Sequence, residues 1–80
     1  MESLSNVKLL STILRTTGKA EIAVTGKSME PTLEEHDLIT IVPQDEYAPG
    51  DIIVFVYKNN EILVHRLLKV NSRYYCKGDN

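Results

Sequence analysis

The sequence predicts a small, mainly β domain: an antiparallel, partly open, barrel-like sheet preceded by one amphipathic helix. Three observations carry that expectation. Apolar residues recur at helical spacing only before Gly18. Beyond it they fall into short runs of strand character. Turn residues separate those runs at intervals of roughly 10 residues, as in compact barrels and sandwiches.

Taken in order, Leu4, Val7, Leu10, Ile13 and Leu14 are spaced by threes and fours, which gives a helix over residues 1–18 ending near Gly18. Lys8 and Arg15 interrupt its apolar character, and it falls short of the roughly 18 to 20 residues that cross a bilayer. Such a stripe either packs on the domain or makes peripheral contact with a membrane surface. Residues 19–80 are expected to form the β domain. "AEIAVT" (20–25) reads as a strand and is followed by the polar interval "GKSMEPTL" (26–33). "DLITIV" (37–42) alternates like a half-buried strand and stops at Pro43. "DIIVFVY" (51–57), apolar after its aspartate, is expected to be buried on both faces. "KNN" (58–60) joins it to "EILVHRLLKV" (61–70) as a hairpin, and "NSR" turns into "YYCKGDN" (74–80).

Eighty residues make one domain with a thin core, since a chain this short buries only about 60% of its unfolded surface. Nine Lys and Arg stand against eleven Asp and Glu without blocks, so no basic stripe is available for nucleic acid. Cys76 is the sole cysteine; it leaves no internal disulfide and no thiolate metal site, and is expected to be a small buried hydrophobe. No metal or cofactor is called for.

The chemistry-bearing candidates lie at three places. Ser28 sits in the polar interval, where Gly26 lets the backbone pass close to a bound group, Met29 offers an apolar contact beside the hydroxyl and Pro31 presets a turn. Thr32 and Glu35 match a capping box for a short helical turn. A hydroxyl needs a base, and two histidines are present. His36, next to Asp37, reads as a solvated turn residue. His65 shares a strand face with Leu63 and Leu67, is held rigidly there, and has the side chain best suited to proton transfer near neutrality. Asp79, in the closing "KGDN", can orient such a histidine and stabilise its imidazolium. The same residues also fit an ordinary turn, a core histidine and a Gly-Asp end, so residue types alone leave both readings open.

Four segments in order, "GKSMEPTL", "PGDIIVF", "VHRLLKV" and "CKGDN", resemble the signal peptidase I family, within the S24/S26-type serine peptidases that include the self-cleaving repressor domains. The resemblance spans residues 22–80: Ser28, Met29, Pro31, Thr32 and Leu33 match the nucleophile motif, Gly50 and Asp51 a Gly-Asp before a strand, His65 and Arg66 the base strand, and Gly78, Asp79 and Asn80 the closing motif. Histidine before Arg66 looks like the endoplasmic-reticulum type of signal peptidase, whereas the usual bacterial branch carries a lysine. The resemblance implies Ser28 as nucleophile, His65 as base, Asp79 as third member, and the Ser28 N–H as first donor to the oxyanion. A Ser–Lys variant would use Lys69, at the cost of desolvating a neutral lysine.

Departures from the family pattern carry expectations of their own. Gly26 stands where many members have a serine or threonine that supplies a second oxyanion donor, and His36-Asp37 replaces a Gly-Asp turn where positive φ is needed. Members usually continue past Gly-Asp-Asn into further strands. Their lack here implies an open sheet edge, filled by a second copy in a homodimer or by another chain, or else a fragment. With an amphipathic helix where membrane-facing members have an anchor, the expected location is cytoplasmic or peripheral to a membrane, and the substrate is an extended leader or signal peptide. The alternative is a non-catalytic β domain that binds a peptide or partner by strand addition.

Overall fold

The computed structural model of the protein describes residues 6–58 and 61–80. Its elements are helix α1 (Asn6–Thr17) and strands β1 (Ala20–Ala23), β2 (Leu38–Ile41), β3 (Ile52–Tyr57), β4 (Glu61–Val70) and β5 (Arg73–Lys77). The helix ends where the sequence suggests. Gly18 has φ 78°, a conformation that costs a glycine little, and its N–H closes the last turn on the Leu14 carbonyl at 2.8 Å. Val7, Leu10 and Leu14 are half-buried, and α1 packs against β1 and β4. Among the described residues no helix is long and apolar enough to cross a membrane.

The strands form two antiparallel sheets, β1-β2 and β3-β4-β5, and no closed barrel. In the first, Ala20 lies opposite Ile41 and Ala23 opposite Leu38. The pairing continues past the strand ends: the Val24 N–H bonds the Asp37 carbonyl and the His36 N–H bonds the Val24 carbonyl, both at 2.8 Å. His36 takes φ 75° there, so the position where the family's turn pattern calls for positive φ does adopt it, with a histidine.

In the second sheet β4 is central. Its first part, from Glu61 to Arg66, pairs with β3, and its second, from Arg66 to Val70, pairs with β5. Gly50, with φ 97°, extends the ladder one step before β3: its N–H bonds the Leu67 carbonyl at 2.7 Å, and the Leu67 N–H bonds the Asp51 carbonyl at 2.8 Å. The Asp51 carboxylate accepts the Ala48 N–H at 3.0 Å and holds the preceding turn.

One expectation is corrected here. β3 is not buried on both faces, because Ile52, Val56 and Tyr57 are exposed, the last two by 53% and 51%. It is an edge strand with a single hydrogen-bonded neighbour, and a chain of this size has little else to lay over it. The expected β3–β4 hairpin is present, with Tyr57 opposite Glu61, although residues 59 and 60 of its turn lie outside the described residues.

Among the described residues only Ala20, Val24 and Met29 are fully buried hydrophobics, and Met29 is the most deeply placed, 1% exposed. The centre of the core therefore lies under the polar interval that follows β1. The β4–β5 hairpin closes through Asn71 and Ser72, with φ of 51° and 66°, the two left-handed residues of a turn whose twist suits a hairpin. Asparagine tolerates this conformation, whereas serine is strained there by about 1 kcal/mol. Ser72→Gly should therefore raise the urea midpoint, with a gain of roughly 1 kcal/mol; a lowered midpoint would show that the turn has another form.

Candidate active site

The chain leaves β1 at Val24 and enters the loop at Gly26, where φ of 79° is what calls for glycine, since an added Cβ would meet nothing within 4 Å. The Gly26 N–H is engaged by the Glu35 carboxylate at 3.2 Å. That bond corrects the expected capping box: Glu35 reaches back to Gly26, and the Thr32 hydroxyl turns to Asp79. The loop itself is a series of turns, with the Glu30 N–H on the Lys27 carbonyl at 3.2 Å and the Leu33 N–H on the Met29 carbonyl at 2.9 Å. The Glu30–Pro31 peptide bond is cis.

Met29 and Ser28 divide the work of this loop. Met29 plugs the core beneath it, so its main role is to anchor the loop, with only its inner surface forming part of a cleft floor. Ser28, the next residue back, is exposed on the same cleft. Among the described residues its N–H meets no acceptor, which leaves that donor available to an incoming oxygen. Pro31 is exposed and lies away from the lining of the cleft.

The C-terminal motif clamps the loop from the other side. Gly78 lies so close that an added Cβ would collide with the Ser28 carbonyl oxygen and stand 3.0 Å from the Ser28 Cβ, so close approach here requires glycine. The Asn80 N–H bonds the Ser28 carbonyl at 2.9 Å, and its Nδ2 bonds the Lys27 carbonyl at 2.9 Å. Between them Asp79 accepts Arg66 Nε on Oδ1 at 2.9 Å, Arg66 Nη2 on Oδ2 at 2.8 Å, and the Thr32 hydroxyl on Oδ2 at 2.6 Å. Arg66 Nη1 completes the junction on the Gly50 carbonyl at 2.7 Å. The Arg66 bonds, then the Thr32 bond, hold the Asp79 carboxyl at about 2, well below the ordinary carboxylate value; the reciprocal bond raises Arg66.

The structure thus places Asp79 on Arg66 and Thr32 instead of on His65. The pleat of β4 is consistent with this, since adjacent residues of a strand point to opposite faces and Arg66 is the one that reaches the carboxylate. His65 stands opposite Ile53 with its ring edge-on to Phe55, centroids 6.1 Å apart. Among the described residues the imidazole has no hydrogen-bond partner. It lines the same cleft as Ser28, a space of about 680 Å³ between β1 and the first half of β4, with α1 as one wall. Lys69 lies outside that cleft, its ammonium 5.3 Å over the Tyr74 ring. His36 is exposed and also outside it. Cys76 is a half-buried free thiol, and the described residues include no cluster of three or more metal-binding side chains.

A family model described as Peptidase S24-like matches residues 3–80, nearly the whole chain. The chain belongs to that family. Searches of curated proteins and of solved structures return no match. The mainly β architecture with its N-terminal helix fits an S24-like chain, and membership relates it to the peptidases.

In this S24-like chain the residues whose part the sequence did not disclose are Arg66 and Thr32. Both stand inside recognisable motifs, but their partner is remote in sequence, and only folding brings the three together. Because the Asp79 carboxyl is lowered from 3.8 to about 2 in the folded protein, its contribution to stability is complete above about pH 4 and is lost as pH falls toward 2. Urea midpoints taken across that window should fall less steeply in Asp79→Asn than in the wild type; parallel slopes would show that the carboxylate is not held as described.

Proposed function

We propose that the protein is a serine endopeptidase of the signal-peptidase type, in the branch that uses histidine as base, and that it cleaves an extended leader or signal peptide. The observation that carries this reading is the opening of Ser28 and His65 onto one cleft while Lys69 lies outside it. Ser28 Oγ attacks the peptide carbonyl as the His65 imidazole takes its proton; the oxyanion receives the Ser28 N–H; the imidazolium then protonates the departing amine, and water hydrolyses the acyl-enzyme in the reverse sense. Asp79 acts as a positioning residue through Arg66 and Thr32.

The backbone supports an extended substrate. β1 uses one edge to pair with β2, and residues 61–65 of β4 use one edge to pair with β3, since β5 begins only opposite Arg66. The remaining edges, which have no strand partner among the described residues, belong to the two strands that flank the cleft. A segment lying between them can add as a strand to both.

A second reading, binding without turnover, is favoured by one observation: among the described residues Ser28 and His65 are not hydrogen-bonded to each other. Mass spectrometry of a mixed peptide pool separates the two. Turnover should vanish in Ser28→Ala and in His65→Ala, a loss on the order of 10⁴-fold or more. Products that persist in both variants would exclude this pair as catalytic, and a pool left intact by the wild type would favour the binding domain.

A further inference from the structure

The helix leaves large apolar side chains where a buried helix would not. Leu9 is 48% and Ile13 39% exposed, and both line the cleft that holds Ser28 and His65. The half-buried members of the stripe already secure α1 to the sheets, so Leu9 and Ile13 are surplus to that packing. They face a space flanked by two strands with unpaired edges, which fits a side chain of a bound extended segment.

The charge of the cleft is one-sided. Among the described residues its formally charged lining members are Glu21, at the start of β1, and Glu61, at the start of β4. Among those residues no lysine or arginine lines it, and neither glutamate forms an ion pair. Glu61 precedes His65 by four strand residues, a run of about 13 Å, and Glu21 likewise lies upstream of the Ser28 loop. Both residues therefore stand along their strands toward the end of the cleft remote from Ser28 and His65.

We propose that α1 is part of the substrate site: Leu9 and Ile13 receive a bulky apolar side chain of the extended segment, and Glu21 and Glu61 receive a lysine or arginine about four residues from the reacting bond. The location of that bond rests on the peptidase reading; the selection of the segment does not. The substrate class is thus a basic and apolar extended peptide, and the N-terminal helix is a specificity element.

The test uses three synthetic peptides: a parent with one lysine and one leucine four residues apart, one with the lysine replaced by norleucine, and one with the leucine replaced by alanine. Affinity is read by fluorescence anisotropy on the Ser28→Ala protein, and kcat/KM on the Ser28 protein. Replacing leucine should weaken binding about tenfold or more, and Leu9→Ala/Ile13→Ala should erase that difference. Replacing lysine should weaken it about two- to fivefold at low salt, a difference lost in Glu21→Gln/Glu61→Gln and in about 1 M salt.

Equal affinity for the three peptides, or binding of none, would overturn the proposal. Selective binding to Ser28→Ala without turnover by the Ser28 protein would leave it standing and count against the peptidase; turnover indifferent to both substitutions would do the reverse. Co-sedimentation with vesicles of anionic phospholipid supplies the remaining arm. If Leu9→Ala/Ile13→Ala abolishes vesicle binding and leaves peptide selection unchanged, the face is a membrane surface and the assignment of α1 to the substrate site fails.

Discussion

The arrangement depends on one carboxylate. Ser28 lies between β1 and β2 of one sheet, while His65 lies on the central strand of the other, and the two sheets share no strand pairing among the described residues. What joins them at the site is Asp79, which holds Thr32 of the serine loop with one oxygen and chelates Arg66, the neighbour of His65, with both. Asn80 adds its two bonds to the carbonyls of Lys27 and Ser28. Asp79 and Asn80 thus tie the Ser28 loop to the strand that carries His65. A bidentate Arg–carboxylate pair suits such a task because its planar fork fixes direction as well as distance. Its surroundings are wet enough that its value lies in geometry more than in stability.

Thin packing gives that tie its importance. With Ala20, Val24 and Met29 as the buried hydrophobics, the core is a small cluster directly beneath the loop. Met29 fixes the loop from below, Gly78 and Asn80 from the side, and Glu35 at its entrance through Gly26. Ser28 is thereby exposed yet held by one bond to its own carbonyl and by an anchored neighbour, so its hydroxyl is positioned without being buried. Among the described residues the outer edge of β1 and that of residues 61–65 of β4 have no strand partner, which is what the proposed binding of an extended segment relies on.

Much of this was legible in the sequence, for identifiable reasons. The helix and its end at Gly18 follow from apolar spacing and a residue that can adopt positive φ, and the β4–β5 hairpin follows from polar turn residues between apolar runs. The ordered motifs around Ser28, His65 and Asp79 pointed to the right family group. Burial was less legible: the uninterrupted apolar run of β3 suggested an interior strand, because sequence reports what a strand can bury and not how many neighbours are available to cover it. Ser28 and His65, singled out in the sequence, line one cleft, and the partners of Asp79 are Arg66 and Thr32. Thr32 and Glu35 stand at capping-box spacing, yet each found a stronger partner at long range, and Asp79 went to the arginine beside the histidine. Alternation along β4 places Arg66 and His65 on opposite faces, but only folding shows which of the two Asp79 meets.

Whether one carboxylate ties the Ser28 loop to the strand that carries His65 can be measured by a double-mutant cycle. Unfolding free energies of Thr32→Val, Arg66→Met and the double variant, measured near neutral pH, report whether the two side chains act through the shared Asp79. Coupling is expected: once either side of the bridge is cut, the second cut should cost clearly less than it does alone. Losses that simply add would mean that Thr32 and Arg66 stabilise the fold independently, and the bridge would not be what positions Ser28 against His65.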